Sequence, residues 1–387
     1  MGKSSKSASG PNDLAKLRSE IEQVDRTLLT ALLRRMELAE GVALAKLNSA
    51  SPFRDPPREQ HVLSRVNELA RELGLDVHEV ERLYRHIIDM AVARQQLHLR
   101  GLAEGPLRVA YQGIEASYSH LAAQARYAGR PGGVVLEGYE TLREAVDAVR
   151  TGEAGLALLP IEHTTAGSMN ETYDLLAEGR VAITGEVVSR VEHRLLVRSG
   201  TRFEDIQTVL SHPQAFAQCS GFVRGLKGVR LQPELDTAGA ARKVAESRDA
   251  HLAAIASAQA AERYGLVVLP VPVQNAAGDF TRFVEVAAEP IPVPAEATCK
   301  TSLLMVLEHK AGALNEVLGH FARHGVSLAK IESRPIAGSP WRYRFYVDLE
   351  GHAASRAMTA ALADVRKVTS EITILGTYPR ALDTEAT

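Results

Sequence analysis

A long run of apolar residues at heptad spacing, near the start of the chain, is the feature that most limits its fold. Apolar side chains recur in steps of three and four: Leu14, Leu17, Ile21, Val24, Leu28, Ala31, Leu38, Val42 and Ala45. This spacing predicts a helix of about 35 residues, roughly 50 Å long. Such a helix cannot bury its apolar stripe alone, so further helices and a second copy of the chain are expected to pack against it.

Polar residues interrupt this stripe and the stripe of a later helix. Arg35 stands where the heptad pattern calls for a hydrophobic residue, and Lys46 shares nearly the same helix face, because eleven residues return to within about 20°. A helix predicted over 76–99 carries Gln95 on its own apolar stripe. Two cations and an amide converging in a helical bundle predict a pocket for a small anion. Taken singly, Arg35 could instead pair with Glu59, and Lys46 could extend its ammonium group to solvent.

Several polar residues of this segment form a recognisable pattern: Leu17-Arg18, Arg35 to Ala39, Lys46, Arg54 to Glu59 and Gln95-Gln96. The pattern resembles the all-helical chorismate mutases, in which two chains exchange long helices to form two equivalent sites. The resemblance implies contacts with chorismate from Arg18 of the partner subunit and Arg35 at the carboxylates, from Lys46 and Gln95 at the ether oxygen, and from Asp55, Arg58 and Glu59 at the hydroxyl group and polar edge. On residue type alone, Asp55 before Pro56 predicts only a helix cap.

The chemistry of chorismate suits these residue types. Chorismate carries two carboxylates and rearranges through a compact pericyclic transition state, so that no nucleophile is needed. An enzyme has to select the folded conformer and neutralise the charge that builds on the ether oxygen, and we expect Lys46 to supply most of that electrostatic part. One substrate-binding position departs from the family, since a serine common there is Ala91 in this chain.

The middle of the chain predicts an α/β domain. Strand-like runs at 107–113, 155–159 and 209–211 each end in a polar turn that leads towards a helix. The runs 107–187 and 188–270 predict two lobes with a cleft between them, and the segment 266–287 brings the chain back. Ligands of such sheets bind beyond the carboxyl ends of strands, where helix N-termini attract anions. Because every α/β domain has such turns, this signal alone is weak.

Short motifs recur through the same segment: Gln112-Gly113, Ser117 to Ser119, Pro160 to Glu162, Ser211 to Gln214, Asp236-Thr237 and Asp279 to Phe283. Together they resemble prephenate dehydratase, which implies a two-lobed, periplasmic-binding-like fold. Prephenate has to lose its ring hydroxyl and carbon dioxide together, so a donor at the leaving oxygen is needed. The resemblance implies Thr281 as that donor, a site lined by Gln214, Ser119 and Ser211, and an anion held with the help of Arg282.

Two positions depart from the dehydratase pattern. His163 and Asp279 both stand where the family usually has asparagine. His163 could replace the amide as a hydrogen-bond donor, or it could act as a general acid near neutral pH. The histidine could equally lower the activity.

The last part of the chain follows a segment rich in proline at 288–298, which predicts an extended linker. Residues 299–380 predict the order βαββαβ, an α+β ferredoxin-like fold. On residue type alone, Gly312 reads as a turn glycine. The segment resembles the regulatory ACT domain, in which two motifs line a phenylalanine site between paired domains. In this chain the motifs are Gly312, Ala313 and Leu314, followed by Glu332, Ser333, Arg334 and Pro335.

The three resemblances occur in one order and indicate the family of bifunctional chorismate mutase–prephenate dehydratases (P-proteins). They imply a multidomain chain with a disordered tail at 1–11, an all-α mutase domain at 12–101, a dehydratase domain at 106–287 and a regulatory domain at 299–380. The implied reactions run from chorismate to prephenate and then to phenylpyruvate, with inhibition by phenylalanine and without a metal or other cofactor. Two alternatives stay open: the same fold with one activity lost, through Ala91 or His163, or a non-catalytic dimeric sensor of a small acid.

Composition excludes other classes of function. The chain holds 45 Lys and Arg against 47 Asp and Glu, a net charge of −2, which does not favour binding to nucleic acid or to an anionic membrane. No apolar stretch approaches the ~18 residues of a membrane span, and residues 1–11 lack the apolar run of a signal peptide. With only two cysteines, Cys219 and Cys299, the sequence predicts a reducing, cytoplasmic location.

Overall fold

The computed structural model describes residues 11–49, 56–104, 106–130, 132–165, 167–275, 278–293, 297–308, 310–336 and 338–381. The chain divides into two compact units, with the boundary between Gly105 and Pro106, and each unit is described by itself. Residues 1–10 of the predicted tail, the cap residue Asp55 and residues 294–296 of the predicted linker lie outside the described residues.

The first unit consists of helices over its described residues: α1 (Pro11–Ser49), α2 (Pro56–Glu72) and α3 (Val77–Glu104). Helix α1 is 39 residues long, close to the length that the heptad spacing predicts. Both α1 and α2 pack against α3. A small apolar core of Met36, Ala39 and Ala91, flanked by Leu32 and Ile87, joins α1 to α3. We call this unit the helical unit.

Most of the apolar stripe of α1 is exposed within a single chain. Large apolar side chains along it are 46% to 63% exposed: Leu17, Ile21, Val24, Leu28, Leu38 and Val42. At about 25 cal/mol per Å², leaving so many leucine and valine side chains in water forgoes a large share of the stability that the helix could gain. The stripe therefore forms an apolar surface that the described helices do not cover.

From Pro106 onward, strands and helices alternate as the sequence predicts. In chain order the elements are β1 (Leu107–Gln112), α4 (Tyr118–Tyr127), β2 (Val134–Tyr139), α5 (Leu142–Thr151), β3 (Leu156–His163), β4 (Gly167–Ser168), α6 (Asn170–Ala177), β5 (Ala182–Val191), β6 (Arg194–Val197), β7 (Thr208–Ser211), α7 (Pro213–Gln218), α8 (Ser220–Gly225), β8 (Arg230–Pro233), α9 (Thr237–Glu246), β9 (Leu252–Ala256), α10 (Ala258–Tyr264), β10 (Val267–Leu269) and β11 (Asp279–Ala287).

These strands form two sheets, which confirms the two predicted lobes. The first lobe has the strand order β2-β1-β3-β11-β5, and the second lobe has the order β10-β6-β9-β7-β8. The chain enters the second lobe after β5 and returns through β11, which pairs antiparallel with both β3 and β5. Strand β11 therefore lies inside the first sheet, directly after the second crossing between the lobes.

Polar side chains cap the N-termini of three helices in the two lobes. Ser117 accepts a hydrogen bond from the backbone N–H of His120 at the start of α4, and Asp236 accepts one from Gly239 at the start of α9. His212 caps α7, with Pro213 in the first turn. Each cap satisfies an N–H group that the helix leaves unpaired. The motifs that the sequence analysis singles out at 117–119 and 236–237 are thus helix starts, and the motif at 211–214 joins the end of β7 to the start of α7.

The C-terminal region has the predicted order βαββαβ. Its elements are β12 (Cys299–Leu307), α11 (Ala313–Arg323), β13 (Leu328–Ile336), β14 (Ser339–Glu350), α12 (Arg356–Val368) and β15 (Thr369–Pro379). The strands pair antiparallel in the order β13-β14-β12-β15. Both helices cover one face of this sheet around a core that includes Val317, Phe321 and Leu362.

The opposite face of the C-terminal sheet is buried against the first lobe. Tyr346 and Tyr378 belong to one apolar core with Leu159 and Val284 of the first lobe, and the Tyr346 hydroxyl donates to the carbonyl oxygen of Tyr173 at 2.7 Å. A Cβ atom on Gly376 would lie 2.0 Å from the carbonyl oxygen of Ile183, so only glycine lets β15 approach β5 this closely. The first lobe and the C-terminal sheet therefore share one core.

No helix in the described part of the chain combines the length and the apolar character that crossing a membrane requires.

Candidate active sites

A half-buried cation lies between α1 and α3 of the helical unit. The Arg35 guanidinium donates from Nη1 to the carbonyl oxygen of Ile87 at 3.1 Å, and burial lowers the pKa of this side chain. Its neighbours along the helix, Met36 and Ala39, are buried in the α1–α3 core together with Ala91. The structure thus brings Arg35 to the same helix pair as Ala91, facing inward where the heptad pattern calls for a hydrophobic residue.

The remaining residues of the predicted mutase site are distributed over all three helices. Arg18 is exposed on α1, Arg58 is exposed in the first turn of α2, and Glu59 beside it is partly buried. Lys46 and Gln95 lie in α1 and α3, but their side chains, like the whole of Asp55, are outside the described part of the chain. The described residues therefore contain one inward cation and no complete pocket.

A threonine–histidine pair lies at the centre of the first lobe. Thr281 on β11 is directly opposite His163 at the end of β3, and its Oγ1 atom lies 2.6 Å from Nδ1 of the imidazole. Thr281 is only 1% exposed. The sequence analysis predicts each of these residues for the site but not their contact. The register of β3 against β11 brings them into hydrogen-bond contact.

The environment of His163 keeps its imidazole neutral at pH 7. Burial, together with the nearby His212, lowers the pKa of His163 to about 4, and Asp279 offsets only part of this effect. A neutral imidazole donates from one nitrogen and accepts at the other. If Nδ1 carries the hydrogen, His163 donates to Thr281 Oγ1, and the threonine proton is then free to point at a ligand. The 2.6 Å contact fits both tautomers: with Nε2 protonated instead, the threonine hydroxyl donates to Nδ1.

A cluster of buried polar side chains surrounds this pair. Asp279 is 2% exposed, and its Oδ2 atom accepts a hydrogen bond from Gln274 at 3.2 Å. His193 bonds to Gln218 Oε1 at 2.8 Å through Nε2 and to the Tyr118 hydroxyl at 3.0 Å through Nδ1. His193 and Gln274 lie in the two segments where the chain crosses between the lobes, and the His193 backbone N–H donates to Gln274 Oε1 at 3.0 Å. The cluster therefore joins the two crossings to each other.

His193, Gln218 and Gln274 are absent from the residues that the sequence analysis names. His193 lies between β5 and β6, Gln274 lies between β10 and β11, and Gln218 ends α7, and none of them belongs to one of the short motifs. Burial lowers the pKa of His193, while Gln218 and Asp279 offset part of that effect. His193 and Gln274 therefore lie on the side of the candidate site where the chain crosses between the lobes.

Two predicted lining residues lie at helix starts, one in each lobe. Ser119 is partly buried in the first turn of α4, beside Tyr118, which contacts His193. Gln214 is partly buried in the first turn of α7, and its backbone N–H donates to His212 Nδ1 at 3.2 Å. Since His212 is close enough to affect the pKa of His163, the start of α7 lies near the threonine–histidine pair.

The predicted role of Ser211 does not fit its position. Ser211 is fully buried inside the second lobe, and its hydroxyl donates to the carbonyl oxygen of Ile255 at 2.6 Å. This bond joins β7 to β9. A side chain without exposed surface that is committed to the backbone serves the core of the lobe rather than a ligand.

The predicted role of Arg282 does not fit its position either. Consecutive residues of a strand point to opposite faces, so Arg282 points away from the side of the sheet that carries Thr281. Its guanidinium contacts Glu162 at 3.2 Å, Glu186 at 3.2 Å and Asp348 at 2.8 Å. Burial by itself would lower the pKa of Arg282, but these carboxylates, Asp348 foremost, raise it above its usual value. A guanidinium already shared by three carboxylates is not available to a substrate anion.

The two motifs of the predicted effector site lie at the start of α11 and on β13, where Ser333 and Pro335 pair with Phe345 and Tyr343 of β14. Gly312 precedes α11 with φ +82°, and Ala313 and Leu314 line a cavity of about 150 Å³ with Tyr343 and Phe345. The other motif lies on β13. Its charged residues point at the first lobe and its intervening ones are exposed: Glu332 accepts from Ser168 at 2.5 Å, Arg334 contacts Asp174 at 2.7 Å, and Ser333 and Pro335 face solvent.

Three models of known protein families match consecutive parts of the chain. The model described as chorismate mutase type II matches residues 17–96, the one described as prephenate dehydratase matches residues 109–291, and the one described as ACT domain matches residues 301–367. The order along the chain is the order that the sequence predicts.

Solved structures resemble the part of the chain that follows the helical unit. A prephenate dehydratase from Arthrobacter aurescens in complex with L-Phe is 30% identical with a TM-score of 0.65, and the match covers 73% of this chain and 92% of that one. A protein described as GqqA, a novel type of quorum quenching acylase, is 35% identical with a TM-score of 0.63 and is covered over 98% of its length, against 71% of this chain.

Curated relatives match nearly the whole chain. The bifunctional chorismate mutase/prephenate dehydratase of Escherichia coli K12 is 38% identical over 95% of this chain and 96% of its own length. The protein of the same description from Aquifex aeolicus is 32% identical over 96% of this chain and 99% of its own length. With all three family matches in the same order, the chain belongs to the family of bifunctional chorismate mutase/prephenate dehydratases.

Proposed function

We propose that the chain catalyses two consecutive reactions of phenylalanine biosynthesis. The helical unit rearranges chorismate to prephenate, and the two-lobed domain converts prephenate to phenylpyruvate, carbon dioxide and water. Phenylalanine binds the C-terminal region and inhibits. The observation that carries the proposal is the similarity to bifunctional relatives over 95% of the chain, and the Thr281–His163 contact of 2.6 Å supports it at the centre of the first lobe.

The mutase reaction needs fixed charges and no proton transfer. Arg35 offers a half-buried positive charge between α1 and α3, where one carboxylate of chorismate binds. Lys46 and Gln95, further along the same two helices, bind the ether oxygen, on which charge builds in the transition state. Preorganised donors at such an atom contribute ~3–4 kcal/mol each. Asp55, Arg58 and Glu59 contact the rest of the polar edge, beside Ala91.

A second copy of the helical unit covers the exposed stripe of α1. The large apolar residues of this stripe are 46% to 63% exposed in a single chain, and a second copy of the same helix complements them at heptad spacing. Arg18, exposed on α1, then reaches the site of the partner subunit. The protein is accordingly a homodimer or a higher homo-oligomer.

The dehydratase reaction uses Thr281 as the donor to the leaving group. The electron pair of the bond to the ring carboxylate moves into the ring as carbon dioxide departs, the ring C–O bond breaks, and the oxygen leaves as hydroxide, which takes up a proton from solvent to give water. The Thr281 hydroxyl donates to that oxygen, while His163 Nδ1–H donates to Thr281. Ser119 and Gln214 approach from the two lobes.

The threonine–imidazole contact also resembles a nucleophile and its base, which an acylase such as the described neighbour would need. A general base works best when its pKa lies near the operating pH. The pKa of about 4 makes His163 a weak base at neutral pH. Dehydration, which asks only for a donor, is the function that this geometry supports better.

The regulatory part of the proposal rests on the C-terminal region. Phenylalanine binds at Gly312, Ala313 and Leu314, whose cavity carries the aromatic rings of Tyr343 and Phe345, and Glu332 to Pro335 complete the site where two C-terminal regions pair. Both cysteines are buried and unpaired, which supports a cytoplasmic location.

The purified chain tests the proposal when it is given chorismate and prephenate separately. We expect prephenate from the first substrate and phenylpyruvate from the second, and we expect phenylalanine to inhibit the second reaction. A folded protein that leaves both substrates unchanged would show a non-catalytic sensor, and turnover of one substrate alone would show that one activity is lost.

The role of His163 is tested by His163→Asn. We expect the dehydratase kcat to stay within about tenfold of wild type, because asparagine can donate the same hydrogen bond and one such bond is worth ~1 kcal/mol. We also expect an unchanged kcat profile between about pH 6 and pH 8. Since burial lowers the pKa of His163 to about 4, the histidine takes up its proton only as the pH falls towards that value.

His163→Ala is the matched control, since it removes the donor and is expected to lower kcat further than asparagine does. The opposite outcome has two parts. The wild-type rate would change with an apparent pKa between about 6 and 8, and this pH dependence would be absent in His163→Asn. Such a result would show that His163 acts as a protonated acid.

A further inference from the structure

Six charged side chains join the first lobe to the C-terminal sheet. They are Glu162, Glu186 and Arg282 from the first lobe and Lys300, Lys330 and Asp348 from the C-terminal region. We call this set the interdomain ion network. Five of its side chains are 1% to 14% exposed, and Glu162 is 37% exposed. Three acids and three bases balance each other, as buried charges require.

The network centres on Arg282, and three of its contacts cross from the first lobe to the C-terminal region. Arg282 contacts Glu162, Glu186 and Asp348. Lys330 contacts Glu162 at 2.8 Å, and Lys300 contacts Glu186 at 2.9 Å. Asp348 is held further by the Ser302 hydroxyl at 2.6 Å. Each carboxylate of the first lobe is therefore shared between its own arginine and a lysine of the C-terminal sheet.

The network is one residue away from the catalytic pair on two strands. Glu162 precedes His163 on β3, and Thr281 precedes Arg282 on β11. Because strand residues alternate between faces, His163 and Thr281 meet on one side of the sheet, while Glu162 and Arg282 meet on the other. A movement of Glu162 perpendicular to the sheet also moves the backbone at His163. A movement of Arg282 likewise moves the backbone at Thr281.

Strand β13 connects the same network to the proposed effector motif. Lys330, Glu332 and Arg334 alternate along β13 and all point at the first lobe, where Lys330 contacts Glu162 and Ser168, Glu332 contacts Ser168 and Arg334 contacts Asp174. Glu332 and Arg334 belong to the motif that phenylalanine is proposed to bind. Lys330, which contacts Glu162, is thus only two residues from Glu332 of the effector motif on the same strand.

We propose that Glu162 and Arg282 are positioning residues, which set the Thr281–His163 contact and carry the effect of phenylalanine from β13 to that contact through Lys330 and Asp348. This inference rests on the proposed dehydratase function and its inhibition. When phenylalanine binds β13, the strand shifts Lys330 against Glu162, and the pair on the other face loses its 2.6 Å geometry. Tightly packed ion networks suit this role, because removing one partner leaves a buried charge that has to move or find another.

The experiment measures inhibition and phenylalanine binding separately in the full-length chain. Lys330→Met removes the contact between β13 and Glu162 while keeping the length of the side chain. We expect phenylalanine still to bind, as measured by calorimetry, but to leave at least half of the dehydratase activity at a concentration that saturates binding. The wild type should be inhibited under the same conditions by about 5- to 150-fold, the usual range of allosteric coupling.

Lys243→Met is the matched control. Lys243 forms an ion pair with Glu234 in the second lobe, so this variant also loses a lysine–glutamate pair but leaves β13 untouched, and it should be inhibited like the wild type. Lys330→Arg keeps the charge and should retain most of the inhibition. A general loss of stability would lower the activity with and without phenylalanine alike and would not change their ratio.

Asp348→Asn gives a second, independent variant, since it keeps the shape and the Ser302 contact but removes the charge that Arg282 faces. It too should bind phenylalanine with weakened inhibition. Normal inhibition in both Lys330→Met and Asp348→Asn overturns the inference, as does loss of phenylalanine binding in both, or an active wild type that phenylalanine does not inhibit. A wild type without dehydratase activity overturns the proposed function itself, which distinguishes the two failures.

Discussion

Replacing Thr281 with valine is expected to lower the kcat of prephenate dehydration by about 10²- to 10³-fold. Valine has nearly the same shape as threonine but lacks the hydroxyl, so the leaving oxygen loses its donor in the transition state. Removing one preorganised donor of this kind typically costs ~2.7–4 kcal/mol. Thr281 is buried and already contacts His163, so no water replaces the missing group without displacing a side chain. The measurement is the rate of phenylpyruvate formation from saturating prephenate.

Two controls separate a lost donor from a disturbed fold. Thr281→Ser keeps the hydroxyl and should retain a rate within about tenfold of wild type. The mutase activity of the same preparation should be unchanged in both variants, because the helical unit is a separate compact unit. A valine variant that dehydrates prephenate at nearly the wild-type rate would remove Thr281 from the mechanism.

The fold was largely predictable because its signals are local. The heptad spacing of α1, the strand–turn–helix repeats after Leu107 and the order of elements after Cys299 each depend on neighbours within a few residues. Thr281 and His163 could be named from the sequence for the same reason, as members of short motifs. Their contact could not, because it depends on the register of β3 against β11, strands that are more than a hundred residues apart.

The position of Arg282 away from Thr281 has a reason that the sequence already contained. Once Thr281 faces a ligand on β11, its strand neighbour must face the other side of the sheet. The position of Ser211 has a different origin: a serine at the end of β7 suits either a ligand or the core, and its contact with β9 places it in the core. His193 and Gln274 depend on where two chain crossings meet, which local patterns do not specify.

Replacing Arg35 with glutamine is expected to lower kcat/KM for chorismate by about 30- to several thousand-fold, since truncating one partner of a buried, hydrogen-bonded charge pair costs ~2–5 kcal/mol. The dehydratase activity on added prephenate should stay unchanged. Folding should survive, because the Ile87 carbonyl that Arg35 contacts also accepts the regular helical bond four residues on. The measurement is the loss of chorismate at concentrations well below KM.

Arg34→Gln is the matched control, since it makes the same substitution at the adjacent position of the same helix. Arg34 is 68% exposed and pairs with Glu37 within one turn, an arrangement worth only a few tenths of a kcal/mol. Helix α1 therefore carries two neighbouring arginines that differ in direction, one towards α3 and one towards solvent. If both variants lose mutase activity to the same degree, the activity depends on positive charge on α1 and not on the direction in which the arginine points. The assignment of the site to the α1–α3 face would then fail. A loss confined to Arg35→Gln ties the chemistry to the face on which the heptad pattern places a cation instead of a hydrophobic residue.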